Sequence, residues 1–184
     1  EPSSAEIAWL DIALDQAFNC LARNTGLDPT SLAWLRRFKP RLEVYAKGTM
    51  LSGAGPTRQL KLVVAGWAAE TRVLADSRRQ ICALHLPGDV VTPRLSAPHG
   101  LYGVTALTKL ECLDLSFPLE TPESQEKAGL RRALIAALTL NEARRYEHIV
   151  RLGQHTAPER LIHLLFELRE RLAPAHGQAP DSFR

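Results

Sequence analysis

The sequence predicts a mainly β protein with flanking helices, a β-roll set between a two-helix preamble and one long helix. Three observations carry that prediction. From Leu42 to about Phe117, short β-rich runs alternate with turn residues and helical periodicity is absent. Before that stretch, apolar residues recur at helical spacing behind recognisable start signals. After it, a segment without breakers runs from Thr121 to Gly153.

Ser3 and Glu6 have capping-box spacing, and Ile7, Leu10, Leu14, Phe18 and Leu21 follow at helical intervals, so the first helix is amphipathic and fades near Asn24 and Gly26. Asp28 can cap a second helix, with Pro29 suited to its first position and Leu32, Leu35 and Phe38 as a short apolar face before Pro40. The β-rich runs are Leu42 to Tyr45, Leu60 to Val64, Trp67 to Leu74, Ile81 to Leu86 and Val104 to Leu115. Gly48, Gly53, Gly55, Gly66, the polar stretch from Asp76 to Gln80, and Gly88 supply the turns. So many short strands at near-regular spacing favour a sandwich, a barrel or a jelly roll, and a β-roll is the expectation.

Thr121 can cap the long helix, and Pro122 suits its first position. About 30 residues span roughly 45 Å. That exceeds what a small β-domain covers, so part of the helix needs another partner. Its apolar residues form two stripes. Leu130, Leu134 and Ala137 continue through Asn141 and His148, and these five are singled out on the dimerisation helix; Ile135, Leu138, Ile149 and Leu152 lie on an adjoining face. One stripe can serve the β-roll and the other a twin helix. Asn141, Arg144 and His148 are polar where a dimer seam is expected. They read either as a register device, since buried polar groups fix pairing at a cost in stability, or as the wet middle of a helix whose ends pack. Thr156 and Glu159 form the capping box of a last helix with Leu161, Leu164, Leu165 and Leu168 as its apolar face, ending before Pro174. Ala175 to Pro180 reads as a linker. The expected organisation is N-terminal helices over 1–40, the β-roll over 41–120, the dimerisation helix over 121–153, and a short helix with linker over 154–184.

Bulk properties narrow the function classes. At 184 residues the chain can bury one sizeable core, and 45% hydrophobic with 23% charged residues is an ordinary globular composition. No apolar run approaches the roughly 20 residues of a spanning helix, and the start at Glu1 has no signal-peptide pattern. A trimmed, cytoplasmic chain with no membrane partner is therefore expected. A net charge of +3 is compatible with nearby nucleic acid without demanding it. Cys20, Cys82 and Cys112 are scattered, so neither a zinc ribbon nor a four-thiolate cluster can be assembled. No nucleophile, acid–base pair or phosphate loop supports catalysis. The expectation is a non-enzyme without a cofactor.

Several local stretches carry a family resemblance. Tyr45-Ala46-Lys47-Gly48 leads into the first hairpin with an aromatic, then Lys and Gly; Gly66 follows a strand; Arg78, Arg79 and Gln80 form a polar hairpin. Leu84 to Val91 reads LHLPGDVV with Pro87-Gly88-Asp89 at its centre, Val104-Thr105-Ala106-Leu107-Thr108 carries the chain back, and Gly153 is followed by Pro158-Glu159-Arg160-Leu161. In this order, over roughly residues 25 to 174, the chain resembles the Crp/Fnr family of bacterial transcription regulators. The resemblance implies a double-stranded β-helix (jelly roll), a cyclic-nucleotide-binding-like domain followed by a long dimerisation helix, acting as a homodimer. It also implies a winged helix-turn-helix beyond the linker, which would need on the order of 50 residues after Arg184. DNA would be contacted through that domain, under control of an effector whose identity the sequence does not give.

Cyclic-nucleotide-binding members place a Gly-Glu after the Pro-Gly-Asp element and an Arg-Ser pair before the return strand. Here Val90 to Gly103 reads VVTPRLSAPHGLYG, with no Glu, and Arg94 is followed by Leu95 before Ser96. The resemblance therefore yields Gly88, Asp89, Arg94, Ser96 and Tyr102 as a candidate effector pocket, without tight cyclic AMP binding. Arg94 with a nearby hydroxyl can grip an anion, although a solvated arginine in a Pro-rich loop is the favoured reading. Tyr102, Trp67 and Trp34 are read first as core. Cys82 and His85, three apart on a strand, point to opposite faces and share no metal ion locally, while His99 is in a loop from which it can pair with either; no metal site is expected. Two other classes compete: a stand-alone module for a nucleotide or small molecule, and a cupin-like metalloprotein, which needs a close histidine pair, a glutamate and a further histidine where this β-region offers only His85 and His99.

Overall fold

Leu62 and Val64 belong to one apolar cluster and Val63, between them, to another. This period-two alternation shows that their strand is covered on both faces. The structure, a computed structural model, describes residues 4–51, 59–92, 102–116 and 124–173, with the backbone alone for 4–8 and Tyr102. In chain order the elements are α1 (Ser4–Thr25), α2 (Pro29–Phe38), β1 (Leu42–Tyr45), β2 (Met50–Leu51), β3 (Lys61–Ala65), β4 (Ala68–Val73), β5 (Arg79–His85), β6 (Val90–Val91), β7 (Tyr102–Ala106), β8 (Leu110–Asp114), α3 (Gln125–Gln154) and α4 (Ala157–Leu172).

The strands form two four-stranded sheets, in the orders β1-β8-β3-β6 and β2-β7-β4-β5, with antiparallel neighbours throughout. Successive strands change sheet, as β3 and β4 do and again β7 and β8, which makes the two sheets a jelly roll. Between the sheets lie Leu51, Val63, Ala68, Val91, Val104, Ala106, Leu110 and Cys112. Lys61 is also buried here, its Nζ 2.5 Å from Glu43 Oε2, and Glu43 accepts in turn from the Tyr45 hydroxyl, so the one buried cation in this strand is neutralised.

The second core joins the first sheet to the helices. Leu62, Val64, Val90, Leu113 and Leu115 meet Phe18 and Leu21 of α1, Leu35 of α2, and Leu130, Ala133, Leu134 and Ala137 of α3. Asp28 caps α2 through the Ser31 backbone N–H at 2.8 Å. Helices α2 and α3 approach so closely that a Cβ on Gly129 would lie 2.0 Å from Ser31 Oγ. Only the missing side chain lets the crossing form.

Three local features depart from the sequence reading. The run Val104 to Leu115 is two strands in different sheets, β7 and β8, because the chain turns at Leu107 to Lys109. That turn has no glycine or proline; it is held by the Leu107 N–H donating to Trp67 O at 2.8 Å and the Trp67 N–H donating to Thr108 Oγ1 at 2.9 Å. Strands β2 and β6 have two residues each, too few to show alternation. In the β4–β5 pair, Thr71 faces Ile81 and Glu70 faces Ala83, which leaves Cys82 as the extra residue of a β-bulge. Helix α3 starts behind Ser124, whose Oγ accepts from the Lys127 N–H at 3.2 Å. The caps read at Ser3, Thr121 and Pro122, and the linker at 175–180, lie outside the described residues. Among the described residues no helix is long and apolar enough to cross a membrane.

Candidate functional site

Pro87-Gly88-Asp89 turns the chain between β5 and β6 at the point where α3 passes. Gly88 has φ 92°, and a Cβ there would sit 2.4 Å from Cys20 Cβ of α1, so glycine is required on two counts. The turn is stitched to β3 by the Gly88 N–H donating to Val63 O and the Val63 N–H donating to Asp89 O, each at 2.9 Å. Asp89 is thereby fixed in place. Its Oδ2 accepts from the Leu86 N–H at 2.8 Å and closes the turn.

The rest of that carboxylate is used by the helices. Arg144 of α3 donates through Nη1 to Asp89 Oδ1 at 2.8 Å, and Arg171 of α4 donates through Nη2 to Oδ2 at 2.5 Å. The same Arg171 Nη2 donates to Leu84 O of β5 at 2.8 Å. Asn141, one turn before Arg144, donates to Val90 O at 2.7 Å. Glu167 then ties α4 to α3, accepting from Arg151 at 2.6 Å and from Arg171 at 2.7 Å, while Arg145 reaches Glu70 of β4 at 2.5 Å. Burial alone would raise the Asp89 pKa, but the guanidiniums of Arg171 and Arg144, with the Leu86 N–H, hold it below the ordinary carboxylate value. Asp89 is the common anchor of the β-roll, the long helix and the last helix.

Beside this anchor, β5, α3 and α4 enclose a cleft of about 210 Å³. Ile81, Cys82, Ala83, Leu84 and Leu164 give it an apolar wall, and His85, His148, Arg151 and Glu167 are among its polar lining. The β-bulge at Cys82 breaks the strict alternation, so Cys82 and His85 border the same cleft, where the sequence reading had set them on opposite faces. Among the described residues no group of three or more potential ligands is placed to hold a metal ion. His85 is 2% exposed and neither of its ring nitrogens has a hydrogen-bond partner; Nε2 of His148 and Nε of Arg171 are likewise buried without one. Burial pushes the His85 pKa down, against the opposing pull of Asp89 and Glu70, so the ring is neutral.

Of the candidate pocket residues, Gly88 and Asp89 lie at this junction, Tyr102 opens β7 opposite Arg72, and Arg94 and Ser96 lie outside the described residues. On α3, Leu130, Leu134 and Ala137 are buried in the chain's own helical core, Asn141 is buried on β6, and His148 lines the cleft. That stripe is occupied within the chain. On the adjoining face Ile135, Ile149 and Leu152 are exposed together with Tyr146 and Val150; Leu138, assigned to that face from the sequence, packs on the helical core instead. Arg145, Arg151, Glu167 and Arg171 were not singled out from sequence, since long charged side chains on a helix carry no local sign of a partner 16 to 87 residues away.

The fold is shared with solved transcription regulators. A CRP/FNR-family transcriptional regulator from Thermus thermophilus, 20% identical, superposes with a TM-score of 0.54 over 76% of this chain and 79% of its own. FixK2 from Bradyrhizobium japonicum is 30% identical with a TM-score of 0.57, over 73% of this chain and 68% of that one. The nitrogen fixation regulation protein FixK of Rhizobium meliloti (strain 1021) is 28% identical over 134 residues, 73% of this chain and 57% of that protein. No family model matches the sequence. The chain belongs to the Crp/Fnr family of transcription regulators, and its described residues are the β-roll and long-helix region. It spans little more than half the length of the Rhizobium relative.

Proposed function

We propose that this chain is the sensor and dimerisation region of a DNA-binding regulator, in which the state of the β-roll is passed to the helices through Asp89. The observation that carries this reading is the shared carboxylate: one buried side chain, fixed by the backbone of the Pro-Gly-Asp turn, holds both Arg144 and Arg171. A shift of the turn by an ångström cannot leave both ion pairs intact, so α3 and α4 must respond together. A second copy pairs through the exposed face of α3 that contains Ile135, Ile149 and Leu152. DNA is contacted by a domain following α4, in the cytoplasm, and the chain itself carries out no catalysis. The family membership supports this reading, as does the engagement of Asp89, Glu167 and Glu70 in ion pairs rather than in an open acid–base pair.

The test is sedimentation and promoter-DNA binding of the protein as its gene encodes it, with Ile149→Glu as the variant. The reading expects a dimer that binds DNA, and at least a tenfold weaker dimer for Ile149→Glu. A monomer, or a dimer indifferent to that charge, contradicts it.

A further inference from the structure

The cleft between β5, α3 and α4 has the makings of a ligand site apart from the pocket expected around Arg94, Ser96 and Tyr102. Among the described residues its lining comes from β5, α3 and α4, and α4 supplies one of its walls. Three features define what it would take. Its volume, about 210 Å³, suits a molecule of roughly ten non-hydrogen atoms. One side, formed by Ile81, Ala83, Leu84 and Leu164, is apolar. The other side is rich in hydrogen-bond donors. Arg144, Arg151 and Arg171 share the two carboxylates of Asp89 and Glu167, which leaves one positive charge over. The Arg171 Nε–H can only donate, and it is buried with no acceptor; the same cleft is lined by His85, neither of whose ring nitrogens has a partner, and by His148, whose Nε2 has none. An unpaired buried donor costs free energy that an acceptor would return.

We propose that this cleft binds a small organic monoanion, a carboxylate on a compact apolar body. The carboxylate accepts from Arg171 Nε–H and from the imidazoles, and the apolar body lies on Ile81 and Leu164. A neutral amide of the same shape supplies only one acceptor oxygen and no charge; an ammonium meets the excess positive charge. Because β5, α3 and α4 each form part of the wall, the occupied cleft favours the arrangement in which α4 is docked. The proposal rests on the sensor reading above for its regulatory meaning, but not for the binding itself.

The experiment is a titration of the full chain with benzoate, cyclohexanecarboxylate and hexanoate, each against its amide and against benzylammonium, following the imidazole resonances of His85 and His148. At least one carboxylate is expected to shift both rings and to bind tenfold or more tightly than its amide. Leu164→Trp, which fills the cleft from a half-buried position without removing a polar group, is expected to weaken that binding at least tenfold while the far-ultraviolet dichroism stays the same. His85→Phe is expected to do likewise. Carboxylates that leave both rings unmoved, amides that bind equally well, or binding that survives Leu164→Trp each overturn the proposal; unmoved rings mean that water alone serves these groups. Sedimentation of the same sample reports the dimer separately, so failure of the sensor reading is distinguishable from failure of the site.

Discussion

The two halves of α3 are held in opposite ways. From Leu130 to Ala137 the helix is fixed by apolar packing against α1, α2 and the first sheet, with Gly129 drawn onto Ser31. From Asn141 to Arg151 it is fixed by hydrogen bonds and ion pairs to Asp89, Val90, Glu70 and Glu167. Apolar packing is non-directional and tolerates small slides, whereas a network of charged hydrogen bonds is either complete or expensive. The first half therefore anchors the helix, and the second half is where a change in the β-roll is felt. Helix α4 belongs to the second half: Leu168 is buried, but Leu161, Ile162, Leu165 and Phe166 are exposed and its other ties are polar.

Removing the acceptor at the polar half should have the largest effect. Asp89→Ala leaves Arg171 and Arg144 without their buried partner, and a loss of about 3–5 kcal/mol in urea unfolding is expected. The apolar half should follow: Leu130, itself without exposure, lies among buried residues, and Leu130→Ala opens a cavity there that costs about 2–5 kcal/mol by the same measurement. The two variants should differ in one respect. Leu130→Ala lowers stability without freeing α4, whereas Asp89→Ala also raises hydrogen exchange along Leu164 to Leu168. Equal exchange in the two would erase the contrast between the halves.

Acid should act on the polar half in two steps. The folded pKa of His85 lies below its ordinary 6.5, so as pH falls beneath 6.5 the unfolded chain takes up a proton that the folded chain refuses, and stability declines. The folded pKa of Asp89 lies below its ordinary 3.8; its contribution is complete above that value and is lost as pH falls through the folded pKa. Each group contributes a slope of at most about 1.4 kcal/mol per pH unit. In His85→Phe the first step should vanish while the second remains, as read from unfolding free energy against pH. The smallest effect belongs to Thr156→Ala, which removes a hydroxyl that donates to Glu159 at 2.8 Å and should cost no more than about 1 kcal/mol.

Much of this architecture was legible in the sequence, and the limits have physical causes. Asp28 with Pro29, and Thr156 with Glu159, marked helix starts because capping is local chemistry. The strand Leu42–Tyr45 was read residue for residue. The turn at Leu107 to Lys109 was missed because it is held by Trp67, forty residues away, and the bulge at Cys82 because nothing in a strand's composition announces an extra residue. At the site, the Pro-Gly-Asp element and the polar trio Asn141, Arg144 and His148 were both visible. What joined them was not: Asp89 and Arg144 are 55 residues apart and Asp89 and Arg171 are 82 apart. The trio was read at an expected dimer seam, either as a register device or as the wet middle of the helix; Asn141 and Arg144 bind the β-roll of their own chain.

The most direct test of Asp89 as the common anchor is a double-mutant cycle between Asp89→Asn and Arg171→Met, measured by urea unfolding of the full chain. Direct pairing predicts a coupling of about 1.5 kcal/mol or more, since charged groups in one buried network do not act independently. A coupling indistinguishable from zero would contradict it, and would mean that α4 is held to the β-roll by something other than this carboxylate.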